Sequence, residues 1–230
     1  MPTTSAKKAV TRPPKSKPAP PSPTLVLLVR HGATPTTGKV LPGRAGGLHL
    51  SETGARQAAT VAERLKAWSE PTRIHAVYAS PLERTRETAA PIAAALGLEV
   101  LTEPGILECD FGDWTGAALK DLMKRPEWAT VQRYPSGFRF PGGESFTAMQ
   151  ARMVDAVAGL CRRHAGQGIV VVSHADPIKA VVAEALGSHL DLFQRIVISP
   201  CSITAISYSP LGPTVLAVNS TKDLAELVPS

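Results

Sequence analysis

Two apolar runs that each end on a histidine constrain this chain more than any other feature. The first run covers residues 25–29 and is followed by Arg30 and His31. The second covers residues 168–173 and is followed by His174. A strand that is apolar at nearly every position suits a parallel sheet covered on both faces, and ligands gather beyond the carboxyl ends of such strands. The sequence therefore predicts that both histidines lie at one edge of a buried sheet.

Strand and helix patterns alternate along the chain, which predicts a three-layer α/β/α sandwich with a mostly parallel central sheet. Apolar residues recur at helical spacing in four segments, which are residues 52–69, 81–96, 145–164 and 177–186. Four other segments read as strands, namely residues 74–78, 98–101, 202–208 and 214–218, the last two as a hairpin. We expect Ser51 to cap the first helix. Ser80, Pro81 and Glu83 match a capping box with proline at the first position of the second helix.

Two long segments lack a regular pattern and are expected to shape the site. Residues 35–50 are rich in Gly, Pro and Thr, and this loop is long enough to fold over the end of the first strand. Residues 105–140 hold short helices and most of the large aromatic side chains. A wall of these aromatics suits an apolar or ring-containing leaving group, although at least half are expected only to pack the cap. They are Phe111, Trp114, Trp128, Tyr134, Phe138 and Phe140.

Residues 1–23 differ in composition from the rest of the 230-residue chain. They contain five Lys and Arg, seven of the 21 prolines and no acidic residue, so we interpret them as a disordered basic tail. Residues 24–230 form the expected single domain. The net charge of +6 comes mostly from the tail, and the remaining cations nearly balance the 19 Asp and Glu. No nucleic-acid partner is expected, because such a partner calls for a basic face on the domain itself.

The sequence contains neither a membrane span of about 18 apolar residues nor the apolar core of a secretory signal. We therefore expect no membrane association and a cytoplasmic location. An organellar transit peptide is the alternative, since the tail lacks acidic residues, but its prolines oppose an amphipathic helix. The three cysteines are odd in number and far apart, which favours reduced packing residues over disulfides.

Four residues are expected to converge at the sheet edge: Arg30, His31, Arg84 and His174. Two guanidinium groups together with helix N-termini suit a tetrahedral dianion such as a phosphoryl group. Histidine can act as the nucleophile there, because its neutral nitrogen is available near pH 7. A single histidine at a strand end is more often a simple hydrogen-bonding residue. Two of them, with an arginine beside the first, favour phosphate chemistry with His31 as the nucleophile.

Other phosphatase chemistries lack their residues. A Cys-dependent phosphatase needs arginine at the sixth position after its cysteine. Those positions after Cys109, Cys161 and Cys201 hold Thr115, Gln167 and Ser207. No glycine-rich loop precedes Lys and Ser or Thr, so P-loop hydrolysis is not indicated. His174 and Asp176 have metal-ligand spacing but no partner cluster, and we expect neither a metal nor another cofactor.

Six motifs in order along residues 24 to about 220 resemble the histidine phosphatase superfamily, also called the phosphoglycerate mutase-like family. Three of them carry most of the resemblance, residues 28–34, 79–89 and 171–174. Residues 50–54, 107–116 and 141–145 extend it. The first motif alone is short, whereas the ordered set is specific. The resemblance implies the phosphoglycerate mutase-like fold.

The resemblance also implies site roles. His31 becomes transiently phosphorylated while Arg30, Arg84 and His174 hold the phosphoryl oxygens. Glu108 is the implied proton donor, and a carboxylic acid there can protonate the leaving alkoxide and then activate water. Asp110 and Asp113 are nearby rivals, although a solvated loop carboxylate is the simpler interpretation of each.

The chain departs from the family pattern at two phosphate-contact positions. Many members carry Asn six residues after the nucleophilic His, where this chain has Thr37. Thr37 is expected to contact phosphate through its hydroxyl, with Thr34 or Thr36 as substitutes. Mutases usually follow the second His with Gly-Asn, where this chain has Ala175 and Asp176. Ala175 is assigned to the phosphate site, whereas the acidic Asp176 disfavours a second phosphate.

The leading hypothesis is a metal-independent phosphomonoesterase that hydrolyses a small phosphorylated metabolite through a phosphohistidine. A phosphoglycerate mutase-type phosphoryl transferase is the first alternative, although the extended basic insert of cofactor-dependent mutases is missing. The second alternative is a phosphate-ligand sensor or interaction module without catalysis. A homodimer is the assembly that we consider alongside a monomer.

Overall fold

The fold is built on a six-stranded sheet in the order β3-β2-β4-β1-β5-β6. The computed structural model describes residues 22–69 and 74–221. The strands are β1 (Thr24–Arg30), β2 (Ile74–Ala79), β3 (Val100–Thr102), β4 (Gly168–Ser173), β5 (Ile203–Ser209) and β6 (Gly212–Ser220). The first four pair in parallel, while β5 runs antiparallel to β1 and forms a hairpin with β6. The mostly parallel sheet and its closing hairpin confirm the sequence prediction.

Six α-helices lie in the described part of the chain, and serine side chains cap two of them. They are α1 (Glu52–Trp68), α2 (Glu83–Leu96), α3 (Leu119–Leu122), α4 (Trp128–Arg133), α5 (Phe146–Arg163) and α6 (Ala175–Ala185). The Ser51 hydroxyl accepts a hydrogen bond from the Gly54 N–H at the start of α1, and Ser145 does the same for Ala148 in α5. Each cap satisfies one backbone N–H that lacks an acceptor within the helix. Short 3₁₀ turns occupy Pro104–Ile106, Gly112–Trp114, Pro135–Gly137 and Leu190–Arg195.

Helices cover both faces of the sheet, which is why its central strands are apolar at successive positions. Leu27 and Val29 of β1 face α1 and α2 in one buried cluster. Val26 and Leu28 face α5 and α6 in the other. Successive side chains of a strand point to opposite faces, so both sets must be apolar in a sheet between two helical layers. The α/β/α sandwich is confirmed.

A third buried cluster forms a cap beside the sheet. It contains most of the aromatics of residues 105–140, together with Phe146 and Met149 of α5 and Phe193. Phe140 packs edge to face on Phe146, with ring centroids 5.2 Å apart. These contacts anchor the irregular segment to α5 and α6 and hold it next to the carboxyl end of the strands.

The capping-box prediction for the second helix is wrong. Helix α2 begins at Glu83 rather than Pro81, its N-cap is Leu82, and no side chain caps it. The Ser80 hydroxyl instead bonds the side chains of Thr85 and His174. Helix α6 also begins two residues earlier than expected, at Ala175.

Other expectations fall partly outside the described residues. Of the predicted tail, residues 1–21 lie outside them. Cys109, Cys161 and Cys201 are free thiols. In the part of the chain that the structure describes, no helix has the length and apolarity needed to cross a membrane.

Candidate active site

The register of the sheet brings the two histidines together. Arg30 at the end of β1 pairs with Ser173 at the end of β4. The next residues along these strands are His31 and His174, and their ring centroids lie 5.2 Å apart. The backbone N–H of His31 donates to the Ser173 carbonyl at 3.0 Å, which fixes the ends of β1 and β4 relative to each other. The convergence expected from the sequence is therefore present.

His31 is held in one tautomer. Its Nδ1 lies 2.7 Å from the Gly32 carbonyl oxygen, and because a carbonyl only accepts, Nδ1 carries the proton. The pKa of His31 is lowered to about 3, mainly by burial. The positive charges of Arg84 and Arg30 also lower this pKa, and the hydrogen bond to Gly32 opposes the decrease. The ring is neutral at pH 7, and its Nε2 keeps a free lone pair. This is the state that a histidine nucleophile requires.

Two arginines with unused donors lie beside His31, of which Arg84 is buried and Arg30 is partly buried. Arg30 donates through Nη1 to the Ile198 carbonyl at 2.7 Å, and Arg84 donates through Nη2 to the Gly43 carbonyl at 2.8 Å. The Nε atom of Arg30 and the Nε and Nη1 atoms of Arg84 are buried without a partner among the described residues. Unpaired buried N–H groups on cations are costly, so their presence indicates a site for an anion.

His174 is oriented by a short hydrogen-bond chain. Its Nε2 lies 2.8 Å from the Ser80 hydroxyl, which lies 2.9 Å from the Thr85 hydroxyl. Thr85 is within hydrogen-bonding distance of two backbone carbonyls and has one proton to donate to them. Ser80 either donates to His174 Nε2, which places the imidazole proton on Nδ1, or accepts from it. The Nδ1 atom of His174 is buried and has no described partner, so it remains available to a ligand.

Glu108 faces the two histidines from the cap. Its Oε2 lies 4.0 Å from His174 Nδ1, and its Oε1 accepts a hydrogen bond from the Cys109 N–H at 3.0 Å. Burial raises the pKa of Glu108 to about 7, and the charge of Asp176 adds to the rise, while Arg84 and Arg30 oppose it. A carboxyl group with this pKa can both donate and accept a proton near neutral pH.

The rival carboxylates lie outside the cavity that contains His31 and Glu108. Asp110 accepts a hydrogen bond from the Gly112 N–H and is 44% exposed at its side chain. Asp113 is exposed. The geometry thus favours Glu108 over both as the group nearest the reacting centre.

Thr37 and Ala175 both line the cavity. The Thr37 hydroxyl accepts a hydrogen bond from the Thr34 N–H at 2.8 Å and contacts the Thr34 hydroxyl at 3.0 Å. Ala175 is the first residue of α6, where backbone N–H groups lack helical acceptors. Their assignment as phosphate contacts stays a prediction. Thr34 also lines the cavity, whereas Thr36 does not.

A cavity of about 320 Å³ extends from His31 under the cap. Of the six aromatics singled out in the sequence, Phe111, Trp128 and Phe140 line it. Trp114 and Phe138 pack inside the cap, and Tyr134 is exposed. Asp176 and Lys179, which form an ion pair at 3.1 Å, supply charge on the α6 side of the cavity. The cavity therefore joins an anion-binding end to a largely apolar wall.

Sequence reasoning missed three residues that support the site. Ser80 was assigned to a helix cap, but it orients His174. Arg44 donates to the Glu108 carbonyl, and Glu144 pairs with Arg44. One signal for Arg44 was available, since it is an arginine in the loop that was expected to fold over the site. Glu144 lies within a recognised motif, but the sequence pattern offers no role for it.

Within residues 22–69 and 74–221, no group of three or more His, Cys, Asp or Glu side chains is arranged to hold a metal ion. The unused donors beside His31 suit an anion instead. The arrangement thus combines a neutral imidazole, two guanidinium groups and a titratable carboxyl group at one end of a cavity.

Comparison with known proteins agrees with this geometry. Residues 26–221 match the family model of the histidine phosphatase superfamily (branch 1). The chain is 32% identical over 214 residues to phosphoserine phosphatase 1 of Hydrogenobacter thermophilus, covering 87% of this chain and 94% of that protein. It is 30% identical over 207 residues to the probable phosphoglycerate mutase GpmB of Yersinia pestis, covering 88% and 94%.

A solved structure with a similar fold is a mutant phosphoserine phosphatase from Entamoeba histolytica in complex with phosphoserine. The TM-score is 0.77 at 26% sequence identity, and the match covers 87% of this chain and 99% of that chain.

Proposed function

This chain belongs to the histidine phosphatase superfamily, and we propose that it is a phosphatase that hydrolyses a small phosphorylated metabolite through a phosphohistidine at His31, without a metal. The observation that carries the proposal is the set of unpaired buried donors on Arg30 and Arg84 beside a neutral histidine. A phosphoryl dianion satisfies these donors, and bidentate contacts fix its orientation.

In the first step, His31 Nε2 attacks phosphorus, and the bond from phosphorus to the leaving oxygen breaks. Protonated Glu108 donates its proton to that oxygen, so the product leaves as a neutral alcohol. The arginines and His174 hold the three remaining phosphoryl oxygens, where charge stays concentrated through the transition state. The raised pKa of Glu108 supports this role, because a carboxyl group with an ordinary pKa would be ionised before the reaction began.

In the second step, the Glu108 carboxylate removes a proton from water, and the water oxygen attacks phosphorus. The bond from phosphorus to His31 Nε2 breaks and inorganic phosphate forms. The step returns Glu108 to its protonated form and His31 to its neutral form. One water is consumed, and no other reactant is needed.

A phosphoglycerate mutase activity is the second candidate, and the Yersinia pestis relative favours it. A mutase must accept a substrate with a second anionic group and keep water from the phosphohistidine. Asp176 lines the cavity near Arg30, and its negative charge opposes such a group. This charge favours hydrolysis of a monoester over transfer between two sites on a bisphosphate.

The experiment that tests the proposal is a release assay for inorganic phosphate across a panel of monoesters. The panel includes p-nitrophenyl phosphate, phosphoserine and 3-phosphoglycerate, each with and without a chelator. We expect turnover that the chelator leaves unchanged. Faster formation of 2-phosphoglycerate than of free phosphate, with a bisphosphate primer present, would favour the mutase. No turnover on any ester would favour a phosphate-ligand sensor.

A further inference from the structure

One recognised motif, residues 141–145, has no part in the chemistry described so far. Its carboxylate, Glu144, is largely buried, with a side chain only 14% exposed. Glu144 bonds two arginines at once. Arg152 reaches it through Nε at 2.9 Å and Nη2 at 3.0 Å, and Arg44 reaches it through Nη2 at 3.0 Å. A carboxylate that orders two guanidinium groups from distant segments directs their remaining donors.

Those remaining donors converge on the backbone that carries Glu108. Arg44 donates from Nε to the Glu108 carbonyl at 2.8 Å, and Arg152 donates to the same oxygen from Nη2 at 3.3 Å. Arg152 also donates from Nη1 to the carbonyls of Gly105 and Leu107 at 2.8 and 3.0 Å. Arginine side chains thus hold the peptide units on both sides of Glu108, which itself lies in no helix or strand.

Arg44 also connects this support to the phosphate end of the site. The residue before it, Gly43, accepts a hydrogen bond from Arg84 through its carbonyl at 2.8 Å. Adjacent residues of the loop therefore contact a phosphate-binding arginine and the backbone of the proton donor.

We propose that Arg44, held by Glu144, is a positioning residue that sets the Glu108 carboxyl group at the distance needed to protonate the leaving oxygen. This inference rests on the proposed role of Glu108. Misplacing a catalytic group by about 1 Å can cost on the order of 100-fold in rate. The loss should fall on poor leaving groups, since good leaving groups scarcely need protonation.

The test compares kcat/KM for phosphoserine, an alkyl ester, with that for p-nitrophenyl phosphate, an aryl ester. Glu108→Gln is expected to slow phosphoserine about 10² to 10⁴ fold and the aryl ester far less. Arg44→Met is expected to slow phosphoserine about 10- to 100-fold and the aryl ester by less than about 3-fold. Adding Arg44→Met to Glu108→Gln should cause no further loss, because both changes remove the same proton transfer.

Two variants separate positioning from charge and from general stability. Arg44→Lys keeps the cation but cannot bond Glu108 and Glu144 in the fork geometry of a guanidinium, so it should remain selectively slow. Arg139→Met is the matched control. Its exposed guanidinium donates to the carbonyl of Gly143, the residue before Glu144, at 3.1 Å, and its loss should leave both rates unchanged.

The outcomes distinguish an error in the proton-donor role of Glu108 from an error in the positioning role of Arg44. If Glu108→Gln slows both esters equally, the proton-donor assignment is wrong, and the inference falls with it. If Glu108→Gln is selective but Arg44→Met slows both esters equally or neither, only the positioning role is wrong. Full rescue by lysine also contradicts that role. Should Arg44→Met fail to fold by circular dichroism, Glu144→Gln carries the same comparison with the same expected selectivity.

Discussion

Burial decides the protonation state of the reactive side chains in this site. It lowers the pKa of His31 to about 3 and raises the pKa of Glu108 to about 7, so both groups are neutral in the free enzyme between these two pH values. The sequence indicates which residues meet, because a strand end followed by Arg30 and His31 is a local pattern. It does not indicate their protonation states, which depend on desolvation and on charges brought in from Arg84 and Asp176.

The raised pKa of Glu108 predicts a specific dependence of stability on pH. Between its ordinary value of 4.5 and about 7, the folded protein holds a proton on Glu108 that the unfolded chain has released. The free energy of unfolding must therefore fall as pH rises through this interval. Glu108→Gln removes this titration, so its stability relative to the parent should rise by roughly 1 to 3 kcal/mol between pH 4.5 and 7.5.

Urea unfolding of both proteins at several pH values measures this difference. Because all other titrating groups are shared, the comparison isolates Glu108. Parallel stability curves for the two proteins would show that Glu108 titrates normally in the folded state.

Helices and strands with strong local patterns are predicted well from the sequence. β4 has the predicted bounds, and Ser51 caps α1 as predicted. Where the chain at a strand end serves the site, local rules fail, and Ser80 bonds His174 instead of capping α2. A cap and a catalytic contact use the same hydroxyl, and only tertiary structure decides between them.

The motif of residues 50–54 has no chemical role, and a close approach between the start of α1 and the backbone after His31 explains it. A Cβ atom on Gly32 would lie 2.6 Å from the Gly54 carbonyl oxygen, and one on Gly54 would lie 2.0 Å from the Ala33 carbonyl oxygen. The start of α1 therefore packs directly on the backbone that follows His31. Side chains at these positions would push His31 away from the strand end.

Gly54→Ala should accordingly reduce both stability and activity. Since the clash is between backbone atoms that cannot rotate away, we expect a loss of about 1 to 3 kcal/mol in unfolding free energy. We also expect a fall in kcat. Gly159→Ala in α5 is the control, because its nearest neighbour would be the flexible Arg162 side chain at 3.7 Å. That variant should gain about 0.5 to 1 kcal/mol. Urea unfolding that ranked Gly54→Ala with the control would contradict this account.

The cavity as a whole combines residues that are far apart in the sequence. Contacts between such residues are the part of the site that the sequence predicts least well. Arg44 and Glu144 are separated by 100 positions, so no local pattern relates them. The aromatic cap is different, because its composition predicts an apolar wall. Which aromatics line the cavity depends on the packing of the cap, and three of the six do so.

The charge on α6 should set the preference among substrates. Asp176 is expected to oppose the anionic carboxylate of 3-phosphoglycerate more than zwitterionic phosphoserine. Asp176→Asn removes that charge and frees Lys179 from its ion pair. The kcat/KM ratio of 3-phosphoglycerate to phosphoserine should rise by about 10-fold. Asp113→Asn, an exposed carboxylate of the cap outside the cavity, should leave the ratio unchanged. An unchanged ratio in Asp176→Asn would show that α6 does not select the substrate.

The most direct test of the central claim is to trap the phosphorylated enzyme. Turnover of p-nitrophenyl phosphate is quenched in alkali, and the protein is analysed by mass spectrometry for a phosphoryl group that survives base but is lost in acid. We predict that the parent carries this group on residue 31. We also predict that His31→Ala folds, lacks the group and releases no phosphate, because His31 contributes chemistry rather than core packing. Equal labelling of parent and variant would contradict the assignment of His31 as the nucleophile.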